Sequence, residues 1–135
     1  MNPADLDFLL DRFVQETPGV TDAQTVSSDG MHLAASSGIN ATQADQFAAI
    51  TSGLASLTDS AADTFGLHPV VRQVIETGQG WILVARINNR ASLGVICDSS
   101  VDLGLVGYEM TIFAEKAGTM LSPEVIERLK NTLGV

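Results

Sequence analysis

Apolar residues recur at helical spacing from the start of the chain: Leu6, Leu9, Leu10, Phe13 and Val14 follow Asn2, a good N-cap, and Pro3, a good first-turn residue. They predict an amphipathic helix ending near Pro18-Gly19. The period then changes. Val20, Thr21, Thr25 and Val26 are β-prone and lead to Ser28-Asp29-Gly30, where Asp-Gly supplies the positive φ of a tight turn. Residues 31–35 are expected to return as the second strand of a hairpin.

Asn40 caps a second helix, with Gln43 three positions on to reach back to the cap, and the helix is expected to run to about Thr64. At about 100° per residue, Phe47, Ile50, Leu54, Leu57 and Ala61 merge with Ala44, Ala48, Thr51, Ala55, Ala62 and Phe65 into an apolar arc over about half the circumference. Packing on one sheet demands less. On the flank of that arc, Ala49, Gly53, Ser56 and Ser60 form a row of small side chains. Such a row either lets a second helix approach closely or is a short-chain solvated face.

Three strands follow, over residues 70–76, 81–87 and 91–98, joined by hairpin-sized loops rich in Gly and Asn. The nearly continuous apolar run of residues 81–85 places its strand in the middle of the sheet, covered on both faces. The strand holding Val70, Arg72 and Val74 mixes charge with β-branched residues, as an edge does. An unpaired edge invites a further strand, so self-association through this one is expected.

Ser99 or Ser100 is expected to cap a third helix, with Asp102 in its first turn and Leu103, Val106, Met110, Phe113, Ala114 and Ala117 as its buried stripe. Leu105, Tyr108 and Ile112 fall on the opposite side, where a helix packed on one face is polar, so a partner is expected to cover them. Ser122-Pro123-Glu124 opens a fourth helix with Val125, Ile126, Leu129 and Leu133 apolar, ended by Gly134. Whether it lies on its own domain or on a partner is open. The order helix, two strands, helix, three strands, helix gives an α+β fold, an antiparallel sheet with helices on both faces.

The length, 135 residues, is that of one domain, and 45% apolar residues suffice for a core. Charge narrows the choice of partners. Residues 1–63 hold nine acids and one base, Arg12, while residues 64–135 hold seven acids and six bases, for a net −9. Such a molecule repels duplex phosphates and anionic lipid, so neither nucleic acid nor membrane is an expected partner. The first residues carry acids where a secretory signal carries bases, and no apolar run approaches the roughly 20 residues of a membrane span. A cytoplasmic location is expected.

Candidate chemistry is sparse. Cys97 ends a strand before a helix, where a thiol can become a nucleophile, but reads better as a small buried hydrophobe. His32 and His68 are too far apart in sequence, and too poor in neighbouring ligands, for a zinc motif. Gly78-Gln79-Gly80, and Gly104 with Gly107, lack the Gly-Lys-Ser/Thr of a phosphate loop. Arg72, Arg86 and Arg90 read as solvated sheet arginines before they read as a site for an acidic partner. No catalytic residue, metal or cofactor is expected, and the chain is not expected to be an enzyme.

Taken together, Leu6-x-x-Leu9-Leu10, Pro18-Gly19-Val20, the segment from Ser28-Asp29-Gly30-Met31 to Ser36, the segment from Phe47-Ala48-Ala49-Ile50 to Leu57, and Asp102-Leu103-Gly104-Leu105-Val106-x-Tyr108-Glu109-Met110 resemble the Roadblock/dynein light chain superfamily, most closely its actinobacterial branch. The resemblance covers about residues 4–121 and leaves residues 122–135 as a helical extension of the same domain. It implies a profilin-like five-stranded antiparallel sheet, with the second helix on one face and the first and third on the other. It further implies a homodimer through the third strand and second helix, here Val70, Arg72 and Val74 with Ala49, Gly53, Ser56 and Ser60. Bacterial members are partners or regulators of small Ras-like GTPases, and the actinobacterial ones resemble products of operons that also encode a sensor-kinase-like protein and a GTPase. His32 departs from the pattern, which more often has an apolar residue there. The function implied is a non-enzymatic dimeric adaptor or regulator of a GTPase. A small-molecule-sensing domain of a signalling complex is the alternative, because sheets of this build also enclose ligands.

Overall fold

The computed structural model describes residues 3–133, and side chains within residues 5–131. The elements are α1 (Pro3–Glu16), β1 (Val20–Ser27), β2 (His32–Ala35), α2 (Ala41–Phe65), β3 (Gln73–Glu76), β4 (Gly80–Asn88), β5 (Ala91–Asp98), α3 (Leu103–Met120) and α4 (Pro123–Leu133). All strand pairs are antiparallel, in the order β2-β1-β5-β4-β3. The sheet thus has two edges, β2 and β3.

Alternation along the strands sorts side chains onto two faces. Ala23, Leu83, Leu93, Val95 and Cys97 point to one, where they join Leu6, Leu10 and Phe13 of α1, Val106, Met110 and Phe113 of α3, and Ile126 and Leu129 of α4 in a single buried cluster. The phenyl rings of Phe13 and Phe113 meet at 5.7 Å between centroids. The fourth helix therefore lies on its own domain, with Lys130 paired to Asp29 in the β1–β2 turn at 2.9 Å. The other face carries α2. A Cβ on Gly94 of β5 would lie 2.7 Å from Thr51 Oγ1 and 2.8 Å from the Phe47 ring, so glycine there lets α2 lie close on the sheet.

Several boundaries differ from the sequence pattern. β3 begins at Gln73, so Val70 and Arg72 precede the strand. Pro69 has no N–H for a ladder, and the Arg72 guanidinium turns to α3, donating to Gly107 O at 3.4 Å. The cap of α3 is Asp102, whose carboxylate accepts from Leu105 N at 3.1 Å. Ser100 is engaged in the preceding turn, where its N–H and hydroxyl both donate to Asp98. The centre of the sheet is β5, and β4 lies one strand in from the β3 edge. The Asn40–Gln43 capping box is present, and Gly66 in the left-handed region ends α2. The Asn2 cap and the Gly134 stop lie outside the described residues.

Candidate interaction surface

Only Ala44, Ala48, Thr51 and Ala62 of α2 are buried. These small residues face the sheet, Phe47 and Leu54 are half-buried, and the other bulky members of the apolar arc stand out: Ile50 is 53% exposed, Leu57 71% and Phe65 75%. Thr58 donates to Gln73 Oε1 at 2.8 Å and Asp59 pairs with Arg86, which fixes the C-terminal half of α2 above β3 and β4.

The two flanks of α2 border different ground. On one, Ser52 Oγ donates to Ser28 O at 3.0 Å, so this side faces the β1–β2 turn. The row Ala49, Gly53, Ser56 and Ser60 lies on this side and outward, exposed, and a Cβ at Gly53 would meet nothing within 4 Å. On the other flank, Phe47 and Ile50 line an open depression of about 290 Å³ together with Ile39 and Ile96. Ile96 pairs across the ladder with Ile82, and Ile82 with Ile75, so three half-buried isoleucines run from β5 to β3 on the α2 face. The row ends at an edge strand with no neighbour among the described residues.

Past the end of α2, Leu67 and Val71 are also apolar and about two-thirds exposed, while Val74 on β3, 48% exposed, pairs with Leu83 and so points to the other face of the sheet. Leu67 carries no periodic signal. The only trace it leaves in the sequence is apolar density running on after the helix stop at Gly66.

The sites expected from sequence therefore divide. Val74 lies on the open edge, Val70 and Arg72 lie just before it, and Arg72 is half-buried against α3. On the opposite face, Ile112 is half-buried in a groove with Leu9, Phe13 and Phe113 between α1 and α3, while Leu105 and Tyr108 stand exposed on the same side of α3. Phe8 is exposed on α1, with Arg12 6.0 Å above its ring. Cys97 is buried, and its desolvation, with Asp98 adding repulsion, pushes the thiol up to about 11. Among the described residues no group of three or more His, Cys, Asp or Glu is placed to hold a metal ion, and no helix is long and apolar enough to cross a membrane.

A five-stranded antiparallel sheet with helices on both faces defines a profilin-like α+β domain, here with one strand edge and one helix flank left apolar and open. The chain is similar to a profilin II of Acanthamoeba castellanii in fold: 16% identity, TM-score 0.60, covering 85% of this chain and 98% of that one. Residues 6–97 match the Roadblock/LC7 domain, and the chain belongs to that family. It is 30% identical to a Roadblock/LC7 domain from Streptomyces avermitilis, with TM-score 0.81 over 84% of this chain and 95% of that one. Myxococcus xanthus MglB has the same fold at 17% identity, TM-score 0.78, over 86% of this chain and 94% of that one. No curated protein matches the chain in sequence.

Proposed function

We propose that the chain is a non-enzymatic homodimeric adaptor or regulator, and that the surface made by two copies binds a small Ras-like GTPase. The observation that carries this reading is the continuity of an unpaired strand edge, the Ile75–Ile82–Ile96 row and the apolar flank of α2. A second copy related by a two-fold axis beside β3 pairs main-chain groups that otherwise face water, and lays its own α2 over the isoleucine row. The bulky flank of Ile50, Leu54 and Leu57 is then the helix–helix contact, with Phe65, Leu67 and Val71 reaching onto the partner. The small-residue row of Ala49, Gly53, Ser56 and Ser60, which the family resemblance assigned to the dimer contact, lies on the side of α2 facing the β1–β2 turn and away from β3, so we assign it instead to the outward surface that meets the GTPase. Family membership supports both halves of the reading.

Purified chain mixed with a Ras-like GTPase encoded beside it is expected to give a complex larger than either component in light scattering, with the rate of GTP hydrolysis or exchange altered. No complex and no rate change contradicts the regulatory role. The depression beside Phe47 and Ile50 is open rather than enclosed, which favours protein docking over a small-molecule sensor.

A further inference from the structure

Gln24 of β1 is fully buried beneath α2. A side-chain amide nitrogen has two hydrogens, and both are used here: Nε2 donates to Ala44 O in the first turns of α2 at 2.8 Å, and lies 2.9 Å from His32 Nδ1 on β2. Because Ala44 O accepts only, the amide group facing it is the NH₂, and His32 Nδ1 must offer a lone pair. The ring is therefore neutral, with its proton on Nε2. Oε1 of Gln24 has no protein partner.

A proton on Nδ1 sets two donors against each other. Turning the amide over mends that contact but faces Oε1 against Ala44 O, so no arrangement of the amide satisfies both neighbours. We infer that the His32–Gln24–Ala44 chain of hydrogen bonds is a proton-sensitive clamp, which ties the first turns of α2 to the outer hairpin while His32 is neutral and releases them when it is protonated. Charged groups reach His32 from each packed element. Asp7 of α1, itself beside Asp11, and Asp45 of α2 favour protonation, Lys130 of α4 lines the same cavity and opposes it, and Lys130 is in turn held by Asp29 and Glu127. Burial outweighs the two carboxylates and favours the neutral ring. Insofar as the clamp tunes dimerisation, it rests on the function proposed above, since α2 is the helix assigned to that contact.

The test is an NMR titration of the full chain from about pH 8 to about pH 5, far enough down to protonate a histidine whose pKa burial has lowered. It follows the His32 ring and the hydrogen-exchange protection factors of α2. Protection at residues 44–48 is expected to fall several-fold as His32 titrates, while β5 keeps its protection. His32→Asn, whose carbonyl accepts the same bond without titrating, is expected to hold α2 protection constant over that range, and His32→Leu to abolish the step from a lower starting value. Equal α2 protection on both sides of the His32 titration overturns the clamp, as does an unchanged step in His32→Asn. Sedimentation at both pH values separates the two readings: a chain monomeric throughout contradicts the dimer, and the clamp is then judged on exchange alone.

Discussion

At Gly94 the helix α2 lies close on the sheet, and a single methyl group there has nowhere to go. Gly94→Ala is expected to cost about 1–3 kcal/mol by overpacking against Thr51 and Phe47, read from urea unfolding. Cys97, buried and with its thiol pushed up to about 11, is expected to react with a thiol reagent at neutral pH only as fast as the chain unfolds; a rapid native-state reaction contradicts the burial. His32 contributes to stability with a definite sign. Its folded pKa lies below its ordinary 6.5, so the unfolded chain takes the proton first. The contribution is whole above the ordinary value and is lost as pH falls below it and through the lower folded pKa, and urea unfolding on either side of that window measures the loss. Asp7 acts in the opposite sense at lower pH, since burial raises its pKa and the folded state takes its proton more readily.

Among the elements, α2 and α4 respond differently. Asn40→Ala removes one half of a capping box at an exposed helix start and is expected to cost about 1 kcal/mol in chemical denaturation. Leu129→Ala opens a cavity where α4 meets the core and is expected to cost about 2–5 kcal/mol. A loss under 1 kcal/mol would mean that α4 is only lightly docked. Element order, the hairpin turn at Asp29-Gly30 and the Asn40 box were legible in the sequence because each rests on local chemistry. The start of β3 was not, because Arg72 leaves the strand for a contact with Gly107, 35 residues away. The cap of α3 was misplaced because two serines and an aspartate compete there, and Asp98 holds Ser100 in the turn. The apolar arc of α2 foretold surplus surface without saying which part stays open. That depends on Gly94 and the small residues Ala44, Ala48 and Ala62, which draw the helix down and leave Ile50, Leu57 and Phe65 outside.

At the scale of the whole molecule, α4 packs against β2 at one end of the sheet while β3 lies open at the other. Along the sequence the charge is uneven, with the acidic first half supplying α1 and α2 and most bases falling in later elements, among them Lys130 of α4, which pairs with Asp29 of the first half. The central claim is that one copy leaves its β3 edge and apolar α2 flank to be covered by another. The most direct test is sedimentation equilibrium of the wild type beside Leu57→Glu and Val74→Glu, both at exposed positions where a charge need not disturb the monomer fold. The wild type is expected to show twice the mass of one chain down to about micromolar concentration, and both folded variants single-chain mass. A wild type that sediments as one chain, or variants that remain dimeric, contradicts the central claim.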